Sequence, residues 1–175
     1  MRTLALILFC LLFIVSLTAQ KDKRDPLTDA QAQQIAETGI DPVARVNLYV
    51  KFINERSDAI NDLIKLAKSP ARAHRIDDEL QDLSGLMDEL GDNLDVFSLR
   101  KADIRKSLKG LNASIHRWQE MLHNLPSEPV FELSLKDALA SASDLADQTK
   151  QLTADQEAYF KAHPDEKGQD RWEPK

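Results

Sequence analysis

The chain has 175 residues, 42% apolar and 30% charged, and a formal net charge of −6. An acidic balance of this size excludes any global attraction for nucleic acid or anionic lipid. The length suits one domain, which at roughly 150 residues buries about 68–70% of its chain surface and needs no disulfide or metal as a staple.

Met1-Arg2 gives a minimal positive start, Leu4 to Leu17 is almost wholly apolar, and Ser16-Leu17-Thr18-Ala19 ends in small residues before Gln20. An apolar run this short, with a small-residue exit, reads as a secretory signal over residues 1–19. A spanning helix needs about 20 apolar residues. Cys10 lies inside the run without the small residue expected before a lipid-modified cysteine. Removal of residues 1–19 leaves no cysteine and, with Arg2 gone, a chain one charge more negative. A cysteine-free exported helical chain fits a bacterial periplasm or exterior better than animal secretion, where small domains carry disulfides.

Residues 20–26 form a charged lead-in, and a helical domain is expected over 27–161. Thr28 and Gln31 have capping-box spacing, which starts a short helix that Gly39 ends. Asp41-Pro42 opens a long helix, with Asp as cap and Pro at the first helical position. Its apolar stripe is Val43, Val46, Val50, Ile53, Ser57, Ile60, Ile64 and Ala67. Tyr49, Phe52 and Leu63 widen that face, so this helix should touch two neighbours. Ser69-Pro70 restarts the chain by the same device.

From Ala73 to Leu125 the positions spaced alternately three and four apart are apolar throughout, except at Lys101. They are Ala73, Ile76, Leu80, Leu83, Met87, Leu90, Leu94, Phe97, Ile104, Leu108, Leu111, Ile115, Trp118, Leu122 and Leu125. That is a heptad stripe, the mark of helices packed along their length. One helix over Pro70–Leu125 would be roughly 84 Å long. Two helices broken near Ser98 would match the lengths of their neighbours and make an up-down bundle. Charge bears on the break both ways, since a hairpin also puts acids at one helix C-terminus and bases at the next N-terminus, each unfavourable by roughly 0.3–1 kcal/mol. Ile76 to Leu99 holds eight acids and no base, and Arg100, Lys101, Arg105, Lys106 and Lys109 follow. A hairpin would lay these bases beside Asp88 to Asp95. The unbroken register and the lack of Pro or Gly from Asn93 to Ala102 favour one helix instead.

After Pro126 and Pro129, Ser134 with Asp137 should cap a final helix with the stripe Leu135, Ala138, Ala142, Leu145, Thr149, Leu152, Gln156 and Tyr159. Its alanines point to close packing. Residues 162–175 are polar, with two prolines and a glycine, and read as a flexible tail. The expected fold is all-α: an up-down helical bundle of about four long helices plus a short N-terminal helix. The alternative is three helices, the central one very long.

No catalytic, cofactor-binding or metal residues are assigned. His116, Glu120 and His123 share a helix face at metal-like spacing, and Glu120-Met121-Leu122-His123 matches one element of a di-iron bundle. Such sites need two of these elements and two more carboxylates pointing inward. The register instead turns these three toward water, and His74 also falls one place off a core position. There is no Gly-rich phosphate loop, no Gly-x-Ser-x-Gly and no Cys-x-x-Cys-His. Gly85, Gly91 and Gly110 fall outside the stripe and cost their helices about 1 kcal/mol each relative to Ala.

Leu27-Thr28-Asp29-Ala30-Gln31 and Leu152-Thr153-Ala154-Asp155-Gln156 both read LTxxQ. The pair resembles the paired motif of the LTxxQ periplasmic stress chaperones (CpxP/Spy type), which implies a dimeric helical cradle that binds unfolded clients without ATP. The likeness rests on Leu27, Thr28, Gln31, Leu152, Thr153 and Gln156 and covers about twenty residues. The family is basic, whereas this chain is acidic. Separately, Asp41 to Phe52 with Glu55-Arg56 looks like an uncharacterised group of exported helical proteins from soil bacteria, which implies export and helicity alone. The function expected is an exported non-catalytic helical-bundle interaction or structural protein, in the periplasm or secreted. It meets a protein partner or itself, and neither nucleic acid nor, once the signal is gone, membrane. A client-binding chaperone is the alternative.

Overall fold

Three helix starts follow from short polar side chains placed one residue before the first turn. In the computed structural model, which describes residues 24–166, Thr28 accepts from the Gln31 backbone N–H while the Gln31 side chain accepts from Thr28, a complete capping box for α1 (Asp29–Glu37). Asp41 caps α2 (Pro42–Lys65), and Ser69 caps α3 (Pro70–Leu99), each with proline in the first turn. α4 (Arg105–His123) and α5 (Glu132–Ala162) have no side-chain cap. α5 therefore does not begin with the Ser134 cap expected. Phe131 precedes its first turn, and the buried Ser134 hydroxyl donates to Asp77 on α3 at 2.5 Å. The signal segment 1–19 lies outside the described residues.

The chain breaks where the heptad stripe breaks. Lys101 has φ +55°, the left-handed region. Its N–H donates to the Ser98 carbonyl and the Ala102 N–H to the Phe97 carbonyl, at 3.1 and 3.0 Å. This pairing is the Schellman end of a helix, normally built on glycine. It explains how a segment free of Gly and Pro still stops. The fold is the all-helical bundle expected, with four long helices and a short one among the described residues.

The helices are arranged differently from a simple meander. α2 packs against α3 and α4, and α5 packs against α3 and α4, while α3 and α4 make no close approach to each other. They stand at opposite corners of a square. Arg56–Glu79 and Tyr49–Glu89 pair in opposite chain order, so α2 and α3 are antiparallel. Ser134–Asp77 and Gln148–Gly91 rise together, so α3 and α5 are parallel. The five residues Arg100–Ile104 thus cross the bundle diagonally. The bases after Leu99 do not come to lie along Asp88–Asp95 as a lateral hairpin would place them. Arg105 pairs with Asp103 at 2.7 Å and covers the Phe160 ring, and the Lys101 ammonium sits over Tyr159.

The stripe is the core. All its apolar members except Leu125 are buried, and Leu125 packs at the edge. The wide face of α2 does meet two neighbours: Tyr49, Phe52 and Leu63 are buried beside Val46, Ile53 and Ile60. On α5, Phe160 takes the last buried place in the stripe, and Tyr159 is only partly covered. Ala138 and Ala142 are fully buried and let α5 sit close. At the far end, Arg72 is 5% exposed. It donates to the Ile64 carbonyl at 3.4 Å and to Glu128 in the α4–α5 connector. That hydrogen bond holds the Glu128 carboxyl below its usual range. Residues 163–166, assigned to the flexible tail, turn back on α5: His163 stacks on Tyr159, and the Tyr159 hydroxyl donates to the buried Glu166 at 2.5 Å. Residues 167–175 lie outside the described residues.

Candidate functional site

α3 and α5 run side by side, but small residues on their outer flanks keep them from closing over. Gly91 on α3 and Ser141 on α5 leave a groove of about 390 Å³. Asp88, Asp92 and Asp95 line one wall, Asp144 and Gln148 the other, and Met87 with Leu145 forms the floor. A second hollow of about 170 Å³ shares Asp95 and Gln148 and continues the groove past Gln151 and Asp155. Gln148 bridges the walls, its amide donating to the Gly91 carbonyl at 2.9 Å and to Asp95 at 2.7 Å. A side chain at Gly91 would meet the Gln148 oxygen at 3.0 Å. This glycine therefore admits the bridge, and the helix softness it brings is the cost of that contact.

The groove concentrates one sign of charge. Asp88 and Asp92 are four residues apart on one helix face, an arrangement that destabilises a helix by roughly 0.2–0.5 kcal/mol. Asp95, three residues past Asp92, adds a third carboxylate to the same face of α3. Chemically this strip can attract and orient a cationic partner, and Ser141 and Gln148 supply hydrogen-bonding groups at its rim. The acid run was visible in the sequence. Its facing wall was not, because Asp144 and Gln148 are brought opposite it only by the α3–α5 pairing.

The two LTxxQ copies have separate local roles. In the first, Thr28 and Gln31 cap α1, Gln31 also donates to Glu55 on α2 at 3.2 Å, and Leu27 packs at the edge of the core. In the second, Leu152 is buried, the Thr153 hydroxyl donates to the Thr149 carbonyl at 2.7 Å, and Gln156 is 4% exposed. The Gln156 side chain accepts from the Ile104 N–H at 3.1 Å and donates to the Ala102 carbonyl at 2.6 Å. It ties α5 to the diagonal crossover and supplies the start of α4 with a partner from another helix.

His116, Glu120 and His123 are all exposed on α4, and His74 is exposed on α3. Trp118 is buried and donates through Nε1 to Asn54 of α2 at 2.8 Å, a core member with its polar atom satisfied. Among the described residues no helix is long and apolar enough to cross a membrane. No protein-family model, curated protein or solved structure matches the chain.

Proposed function

We propose that the protein is an exported, non-catalytic helical bundle that works by engaging a protein partner, with the α3–α5 groove as the engaging surface and a basic segment as the class of partner it suits. The observation that supports this reading is the acidic strip Asp88, Asp92, Asp95 and Asp144 on two apposed walls, with Asp88 and Asp92 a like-charge pair on one helix face. A feature that costs local stability is better explained by a role at the surface than by the fold.

Titration calorimetry with a lysine-rich and a glutamate-rich peptide of equal length tests it. The lysine-rich peptide should bind, more weakly as salt rises, and Asp88→Asn with Asp92→Asn and Asp95→Asn should abolish binding while leaving the melting midpoint unchanged or higher. Equal binding by the triple variant would remove the groove from the reading. Export is tested by the intact mass of the protein recovered from its host, which should begin at Gln20. The chaperone alternative predicts that stoichiometric protein suppresses aggregation of an unfolded client, and Thr28 and Gln156 already have structural partners that account for them.

A further inference from the structure

The chain ahead of α1 lies across α3. Pro26 is buried on Gly85, where an added Cβ would come within 2.9 Å of the proline ring. Arg56 on α2 donates to the Pro26 carbonyl at 3.4 Å. Arg24 reaches Asp78 and Asp82, each at 3.1 Å. The Asp82 side chain is 4% exposed and also faces Arg56 at 3.6 Å, while Glu79 pairs with Arg56 at 3.4 Å. Arg24, Arg56, Glu79 and Asp78 are the charged groups around Asp82. Burial pushes the Asp82 carboxyl above its usual range despite both guanidiniums. Burial thus offsets much of what the two guanidiniums return, and the geometry is what the group supplies: Arg24 meets one carboxylate oxygen and Arg56 the other. Here it positions Arg24 and, through Arg56, Pro26.

The rest of this arm is thinly held. Among the described helices α1 approaches α2 alone, and Ile35 is its one buried residue. Leu27 packs at the edge of the core, and the other ties are polar: Gln31 to Glu55, and Arg45 to the Ile35 and Gly39 carbonyls. Gly39, with φ +54°, joins the arm to α2. Segments with few apolar contacts and exposed hydrogen bonds open well below the global unfolding free energy.

We propose that Arg24–Glu37 is a detachable arm, hinged at Thr38–Gly39 and positioned by Asp82, that leaves a bundle which stays folded. Its departure uncovers the α3 face carrying Gly85, beside Asp78, Glu79 and Asp82. This face is separate from the α3–α5 groove. Hydrogen exchange of the full mature chain, followed by mass, tests the idea with Gly85→Ala, Arg24→Ala and Asp82→Asn. Exchange over residues 24–37 should rise about tenfold in each variant, with exchange in α2–α5 unchanged. Asp82→Asn should do so without lowering the denaturation midpoint, an opposition that an ordinary structural ion pair would not produce. Arg24 is half exposed, so Arg24→Ala leaves the core intact. The proposal is overturned if arm and bundle speed up together, if the arm's exchange stays slow in Arg24→Ala, or if Asp82→Asn lowers the midpoint.

Discussion

Gln156→Leu is the sharpest test of how the crossover is held. The replacement puts a slightly larger, branched apolar side chain in a site that is 4% exposed, so a small repacking cost accompanies the polar loss. The polar loss is two hydrogen bonds, from the Ile104 N–H at 3.1 Å and to the Ala102 carbonyl at 2.6 Å. Each is worth about 1 kcal/mol net, and a backbone group left buried without a partner costs about 1–3 kcal/mol. Ala102 and Ile104 are both fully buried, so water cannot replace the amide. The variant should lose about 2–5 kcal/mol in urea denaturation, with an unchanged m-value if both states keep their compactness. Gln156→Glu separates the two bonds. Its carboxylate can still accept from Ile104 but faces the Ala102 carbonyl oxygen with no proton to give. The glutamate variant should therefore recover stability as pH falls and the carboxyl protonates. A loss under 0.5 kcal/mol in Gln156→Leu, within the range of ordinary surface changes, would show that the crossover does not depend on this side chain.

Leu83→Ala removes a fully buried stripe residue and should cost about 2–5 kcal/mol by denaturant melting; a shift within 0.5 kcal/mol would put Leu83 outside the core. Lys101→Gly relieves a left-handed conformation that costs an L-residue about 1–2 kcal/mol, offset in part by loss of the contact over Tyr159 and by chain entropy. A rise of about 0.5–1 kcal/mol in thermal melts is expected, and a fall would refute the Schellman end. Tyr49 is pushed up to about 12 from an ordinary 10.0, by burial first and then by Glu89. The unfolded chain loses this proton first, so stability should decline as pH rises from about 10 toward 12. The denaturation midpoint of Tyr49→Phe should lack that decline relative to the parent chain.

Much of the architecture is legible in the sequence. The caps at Thr28, Asp41 and Ser69 need only a short polar side chain and, for two of them, a following proline, which are local requirements. The α5 start was misplaced for the same reason: Ser134 has cap chemistry, but Asp77 on another helix takes its hydroxyl. The candidate groove was half legible, as an acid run without its facing wall. The arm's seat was not legible at all, because the glycine at position 85 marks only that something comes close, without naming Pro26.

The sequence by itself determined which face of each long helix is buried and that the stripe fails at Lys101, because a period of 3.5 residues fixes one side of a helix without reference to any partner. Tertiary structure alone decided that α3 and α4 stand on a diagonal. Equivalent stripes can pack against any neighbour, and the choice rests on contacts between residues distant in the chain. The wide flank of α2 covers both α3 and α4, the alanines of α5 let it approach both from the other side, and Gln156 holds the crossover between them.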